Sequence, residues 1–171
     1  TVLHHKSLKN YELFMDLIKE FFVDEKDLKK YLLSTGQQHT NILMATIINK
    51  EEETFFFLFN NIFMKTFKLK EFIFELTGMK EHILQLLLRF GTDSMFECVM
   101  KQIKQHLSKE EVQKLLKIKN KIGFDSWVVL KTEATKKTIF LKYAKEIFTE
   151  QEIMLNFSIP SMVSSIDSLP E

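Results

Sequence analysis

Proline is almost missing from this chain of 171 residues, and its two copies, Pro160 and Pro170, both lie close to the last residue. Proline fixes its own backbone and lacks an amide hydrogen, so it stops or kinks a helix. Nothing of that kind interrupts helical structure between residues 1 and 159. Glycine is also sparse, and its four copies stand far apart, at Gly36, Gly78, Gly91 and Gly123. This spacing excludes a glycine-rich phosphate-binding loop.

Other shortages exclude further classes of protein. Cys98 is the only cysteine, so an internal disulfide is impossible, and we expect an intracellular protein, cytoplasmic or nuclear. The formal net charge is +1, which gives no overall field for holding nucleic acid, and we do not expect nucleic acid as the partner. No apolar run approaches the roughly 18 residues of a membrane span, so a membrane partner is not expected either.

Phenylalanine, by contrast, is abundant. The chain contains 17 phenylalanines and is 45% hydrophobic, enough for a sizeable core. A long proline-free sequence rich in Leu, Lys, Glu and Phe is typical of helices. The composition therefore predicts an all-α protein.

One helical face recurs along the chain at intervals of roughly 40 to 45 residues. Its apolar residues follow helical spacing in 95–107, where they are Phe96, Val99, Ile103 and Leu107. Equivalent positions elsewhere are Phe56, Phe59, Phe63 and Phe67, then Phe140, Tyr143 and Ile147, and near the N-terminus Tyr11, Phe14, Ile18 and Phe22. We expect these positions to be buried. The run Phe55–Phe57 cannot share one helical face, so we expect neighbouring units or a partner to cover it.

A second, shorter helix is predicted after each copy of this face. Ser108 with Glu111, and Thr149 with Glu152, have the spacing of a capping box, in which each residue of the pair accepts a backbone N–H bond. Asp24 is placed to cap the corresponding helix of the first copy, whereas the second copy has a lysine there.

Repeats of this length with two or three helices each are typical of an α-solenoid, in which units stack side by side. Gly36, Gly78 and Gly123 each follow a capped segment and are placed to turn the chain into the next unit. We expect four units, at roughly 1–35, 36–77, 78–122 and 123–157, and an extended or disordered tail at 158–171.

Several short motifs resemble the ankyrin repeat. Thr1, Leu3 and His4 match the Thr-Pro-Leu-His tetrapeptide that commonly opens its first helix, with Val2 in place of proline. Asn41–Ala45 and the segment containing Gly123 and Trp127 are similar to the entry of the same helix. The resemblance implies divergent ankyrin-like units with an inserted helix. A HEAT-like or armadillo-like stack has a suitable period and remains the alternative.

One motif conflicts with this register. Leu86, Leu87, Gly91 and Asp93 resemble the second ankyrin helix and its turn, whereas the recurrent aromatic face makes 83–90 a first helix. We follow the aromatic register because more positions support it.

The sequence contains no recognisable catalytic arrangement, and its histidines are scattered without ligand spacing, so we expect no enzyme, metal or cofactor. The ankyrin resemblance implies a protein-binding scaffold that uses its turns and concave face. The predicted contacts are Gln37, Gln38, His39, Met79, Lys80, Asn120 and Lys121. Self-association through an uncapped end, or RNA binding, are the alternatives. Lys117, Lys119 and Lys121 alternate with other residues and form either a β-like turn or a small basic patch.

Overall fold

The computed structural model describes residues 24–36 and 39–158, together with Leu13, Asp16, Leu17 and Glu20, which are helical. Over these residues the chain consists of helices and turns without any strand, which confirms the all-α prediction. Within the same residues, every helix is too short or too polar to cross a membrane. The predicted N-terminal face of Tyr11, Phe14, Ile18 and Phe22 lies outside the described residues.

The described helices follow one another with short connections. They are α1 (Glu25–Leu33), α2 (Ile42–Ile48), α3 (Glu52–Phe57), a π-helical segment (Leu58–Phe63), α4 (Met64–Thr66) and α5 (Leu69–Phe72). The second half contains α6 (Ile83–Arg89), α7 (Asp93–His106), α8 (Lys109–Lys117), α9 (Ser126–Thr132), α10 (Ala134–Ala144) and α11 (Glu150–Ser158).

The packing of these helices follows two rows. In the first row α6 lies between α2 and α9, and in the second α7 contacts both α3 and α10. Each first-row helix also contacts the second-row helix that follows it in sequence, as α6 does with α7. The helices enclose one apolar core, which includes Phe96, Val99 and Ile103 of α7 at no measurable exposure. These residues are on the face that the recurrent pattern predicts to be buried.

The second copy of the aromatic face matches three of its four predicted positions, and Phe55 takes the place of Phe56 at the first. Phe55, Phe59 and Phe63 are fully buried and Phe67 is nearly so, whereas Phe56 is half-buried. Phe55 stacks on Phe59 and Phe63 on Phe67, with ring centroids 5.4 Å and 5.5 Å apart. Residues four apart drift by roughly 40° per turn on an α-helix. The π-helical segment has more residues per turn and offsets this drift, so every fourth phenylalanine stays in the core.

The helix caps agree with the sequence. Ser108 and Glu111 make both bonds of a capping box, at 2.9 Å and 3.3 Å. Thr149 and Glu152 do the same at 2.8 Å and 3.3 Å. Asp24 Oδ1 accepts from the Lys26 N–H at 2.9 Å. These bonds satisfy amides that the first turn of a helix leaves unpaired, and they confirm the predicted start of each short helix.

The predicted tail begins one residue too early. Ser158 is still the last residue of α11, so the extended structure expected from residue 158 does not start there. Residues 159–171, which make up the rest of the predicted tail, lie outside the described residues.

Candidate interaction surface at the turns

The turns that precede α2, α6 and α9 share one backbone geometry. In each, the N–H of the first residue donates to the carbonyl four positions on: Gly36 to Thr40 at 3.2 Å, Thr77 to Glu81 at 2.9 Å and Asn120 to Phe124 at 2.9 Å. The fourth residue donates back to the first at 2.8 to 3.0 Å and has a positive φ: His39 at 51°, Lys80 at 57° and Gly123 at 84°. The same loop is thus built three times at a separation close to the sequence period.

Side chains reinforce the second and third turns in the same way. Thr77 Oγ1 accepts from the N–H groups of Met79 and Glu81, both at 3.2 Å. Asn120 Oδ1 accepts from the equivalent amides, Ile122 at 3.1 Å and Phe124 at 3.0 Å. Short polar side chains that bond to nearby amides are a common way of fixing a turn. Asn120 is buried, and we therefore assign its carboxamide to the turn and not to a contact with a partner.

Glycine has a smaller role in these turns than its positions suggest. Gly123 alone of the expected turn glycines takes the left-handed conformation, which glycine adopts without strain. In the two earlier turns that conformation falls on His39 and Lys80, so Gly36 and Gly78 are not at the position that requires it.

Neighbouring turns are joined directly. The Lys121 N–H donates to the Met79 carbonyl at 2.9 Å, so the third turn lies against the second. The buried Gln85 of α6 adds a second link, because its Nε2 donates to the carbonyls of Ile118 at 2.9 Å and Phe124 at 3.1 Å. The loop between α8 and α9 is therefore fixed to the second turn and to α6 by backbone and side-chain bonds.

An open groove of about 490 Å³ lies among these turns. Three of the predicted contact residues line it: His39 from the first turn, Met79 from the second and Lys121 from the third. Its apolar surface comes from Ile48, Leu86 and Phe90 together with Met79, and its remaining lining is Thr40, Thr77, Gly78, Glu81 and Arg89. A volume in the range of roughly 300–1,000 Å³ is typical of small-molecule pockets, and this one is accessible from solvent.

Some charged side chains at the groove are paired with each other, and others are exposed without a partner among the described residues. Glu81 is buried and forms an ion pair with Arg89, whose guanidinium lies 4.8 Å from the centre of the Phe90 ring. A buried carboxylate needs such a partner, because its desolvation is otherwise costly. Lys80 and Lys121 are exposed and have no ion-pair partner within the described part of the chain.

The predicted contacts are thus only partly brought together. His39, Met79 and Lys121 line one groove, and Lys80 lies between two of its lining residues. Gln37 and Gln38 fall outside the described residues. Three residues of this region were not predicted from the sequence: Arg89, the last residue of α6, Phe90, which follows it, and Gln85. The one signal for Gln85 was a single uncharged polar residue within the apolar run of 83–88.

Titratable groups elsewhere do not form a metal site. The described residues contain no group of three or more His, Cys, Asp or Glu side chains placed to hold an ion. Burial raises the pKa of the Cys98 thiol, and Lys101 opposes this only in part. Glu152 has its pKa lowered to about 2, first by the Lys109 ammonium and then by the Thr149 amide. Glu152 thus belongs to a contact between two units, and neither Glu152 nor Cys98 lines the groove.

No model of a protein family matches the chain, and neither a curated protein nor a solved structure is detectably similar to it.

Proposed function

We propose that the chain is a stack of four ankyrin-like helical units, bounded close to residues 36, 78 and 123, that binds another protein without catalysis. The observation that carries this proposal is the threefold repetition of one turn geometry, with the second and third turns hydrogen-bonded to each other. Turns in file offer a continuous surface made from several units, which is how helical-repeat proteins recognise partners.

Bonds between units favour a stack over a globular bundle. Ser94 bonds to Glu52, Lys109 to Glu152, Glu97 to Lys142 and to Tyr143, and Lys136 to the Leu88 carbonyl, which joins residues 42 to 48 positions apart. The third unit is therefore joined to the second and to the fourth through polar groups at nearly one separation. This is expected when similar units are placed side by side and is not expected when unrelated helices surround one core.

The ankyrin-like assignment rests on the order of elements within a unit. A turn with a left-handed residue leads into a short helix, and a tight connection at Gly91 leads from α6 to the longer α7. The third helix, α8 in this unit, accounts for the length beyond the roughly 33 residues of an ankyrin repeat. The HEAT-like and armadillo-like alternatives share the two rows of helices, so the turn is the feature that favours ankyrin-like units.

The partner is expected at the turn surface, which we define as His39, Met79, Lys80 and Lys121 with the groove that they border. The full chain, immobilised, is used to capture proteins from cells of the source organism, and retained proteins are quantified by mass spectrometry. The test variant is Lys80→Glu/Lys121→Glu. The matched control, Lys101→Glu/Lys145→Glu, also reverses two exposed lysines, which lie on α7 and directly after α10.

A partner of the turn surface is retained by the wild-type chain and by the control but is lost from the test variant. Circular dichroism must show the same helicity in all three proteins. If the test variant and the control retain the same proteins in the same amounts, the turn surface is not the binding surface and the proposal is wrong.

Self-association is the second candidate function, and α11 is the reason to retain it. Met154 and Leu155 are each 65% exposed on this last described helix, while the neighbouring Ile153 is buried. An uncovered terminal unit can pair with a second copy. Light scattering across a hundredfold range of concentration would show a rising mass, and Met154→Lys/Leu155→Lys would abolish the rise. A constant monomeric mass would exclude this candidate.

A further inference from the structure

The turn surface is positively charged in a protein that is nearly neutral overall. Lys80 and Lys121 border the groove without an ion-pair partner in the described chain, whereas Glu81 is already neutralised by Arg89. The formal charge of the whole chain is only +1. The excess of cations at the groove is therefore local, and it favours ligands that carry negative charge.

The segment that leads to the third turn extends this charge. Lys117, Lys119 and Lys121 are exposed, whereas Ile118 is half-buried and Asn120 is buried. Ile118 has extended backbone angles, φ −64° and ψ 125°. In an extended chain, side chains two residues apart point to the same side and are roughly 6–7 Å apart. Lys117 is the last residue of α8 and Lys121 is the second residue of the third turn, so the three exposed lysines, which we call the lysine row, follow one another along the segment that ends at the groove.

The lysine row is held in place. Gln85 Nε2 bonds to the carbonyls at both sides of the turn, Ile118 and Phe124, and Lys121 bonds through its own N–H to Met79. A charged surface on a fixed backbone loses less conformational entropy when a ligand binds than one on a flexible loop. This segment thus presents three exposed lysines on a backbone that is anchored to the second turn and to α6.

We propose that the lysine row and the groove bind an acidic, extended peptide segment of a partner protein that carries one large apolar side chain. Carboxylates at alternate positions of the peptide face Lys119 and Lys121, and the apolar side chain enters the groove against Met79. This inference rests on the proposed protein-binding function and specifies the chemistry of the partner at the turn surface.

A peptide fits these observations better than a nucleic acid. Single-stranded nucleic acids bind through exposed aromatic rings on which the bases stack. The groove is lined by the rings of Phe90 and His39, and the Arg89 guanidinium lies over the face of Phe90 at 4.8 Å. The remaining apolar lining is aliphatic, from Ile48, Leu86 and Met79, and suits an apolar side chain.

The first test is selection from a phage-displayed library of random twelve-residue peptides on the immobilised full-length chain. We expect the enriched peptides to contain several Asp or Glu residues and one Leu, Ile, Met or Phe. Selection on Lys119→Glu/Lys121→Glu should lose this preference, and selection on Lys101→Glu/Lys145→Glu should keep it. Enrichment of neutral or basic peptides, or no enrichment on the wild-type chain, would overturn the proposal.

The second test measures affinity with the most enriched peptide, labelled with fluorescein, by anisotropy. Lys119→Glu/Lys121→Glu should bind the peptide about tenfold more weakly or worse, because two ion pairs between a lysine and a peptide carboxylate become repulsive. Met79→Glu should also weaken binding, because it places a carboxylate in the groove. The control should bind like the wild-type chain. Equal affinities in all four proteins would overturn the assignment of the site.

A labelled twelve-residue oligouridine is the competing probe. Tighter binding of this RNA than of the selected peptide, with loss in Lys119→Glu/Lys121→Glu, would replace the peptide by a nucleic acid. The protein-binding function and the acidic-peptide inference can fail separately. If cellular proteins are captured through the turn surface but no acidic peptide is selected, the protein-binding function stands and the acidic-peptide inference is wrong.

Discussion

Acidification should destabilise the fold through one buried histidine. His82 stands immediately before α6, has no measurable exposure, and lies 3.4 Å from the hydroxyl of Ser126 in α9. Burial lowers the pKa of its imidazole to about 3, and an interaction with the Leu115 backbone opposes this only in part. In an unfolded chain the pKa of histidine is about 6.5. The folded protein therefore keeps this ring neutral where the unfolded chain would charge it.

The sign of the effect follows from proton binding. Between pH 6.5 and pH 3 the unfolded chain binds a proton at His82 that the folded chain does not, so lower pH favours unfolding. The stability that the neutral His82 ring contributes is present in full above pH 6.5 and is lost as the pH falls toward 3. From pH 7 to pH 5 the free energy of unfolding should drop by about 2 kcal/mol for this residue alone. Glu152, whose pKa is lowered to about 2, loses its own contribution at lower pH, below roughly 4.5.

Urea unfolding followed by circular dichroism at pH 7, 6 and 5 measures the effect, and His82→Asn isolates it. Asparagine cannot titrate and is a favourable residue before a helix. The variant should be less stable at pH 7, because the smaller side chain leaves a cavity, but its stability should fall less with acidification. We expect the two pH dependences to differ by about 2 kcal/mol between pH 7 and pH 5. Equal pH dependence in both proteins would refute the reasoning.

Three further predictions concern the turns and the cysteine. Gly91→Ala should lower the free energy of unfolding in urea by roughly 1–3 kcal/mol, because the new Cβ would lie 2.8 Å from Leu87 Cδ2 and 3.0 Å from the Leu87 backbone. An unchanged urea midpoint would contradict this contact. Gly123→Ala should lower the free energy of unfolding by about 1 kcal/mol, because alanine is strained at the φ of 84° found at this position. Gly36→Ala should change the urea midpoint little, since its Cβ would have no atom within 4 Å and its φ is not positive. Equal effects of the two substitutions would contradict backbone strain at Gly123. Cys98 should react with an aromatic disulfide at neutral pH about tenfold more slowly in the folded chain than in urea, because burial raises its thiol pKa, and equal rates would contradict its burial.

The sequence predicted the features that depend on local spacing. The helix starts at Ser108, Thr149 and Asp24 follow from a bond between a side chain and an amide two or three residues away, so the motif itself contains both partners. Lys68 shows the limit of such motifs, because a lysine cannot accept a bond. Glu71 nonetheless accepts from the Lys68 N–H at 3.2 Å, which is half of a capping box, and the helix forms at the expected place.

Features that depend on neighbouring units could not be predicted. At the first position of the second copy, Phe55 is buried in place of Phe56 because a π-helical segment follows, and its wider turn is not visible in an apolar pattern assumed to follow the α-helix. The groove is similar, because Ile48, Arg89 and Lys121 are far apart in the sequence and meet only after the helices pack. Turn glycines identified the turns, but the left-handed position fell on His39 and Lys80.

Buried polar groups connect the packing of the units to the position of the turn surface. Apolar helix faces alone tolerate small displacements between units, because dispersion contacts have little directionality. Gln85, His82 and Lys136 are buried. Gln85 bonds to the carbonyls beside the third turn, His82 to the Ser126 hydroxyl of the next unit, and Lys136 of α10 to the Leu88 carbonyl of the preceding unit. A displaced neighbour would leave these groups unpaired, at a cost of about 1–3 kcal/mol for each. The register between α6 and α9 is thereby set by hydrogen bonds, and so is the distance between Met79 and Lys121 at the groove.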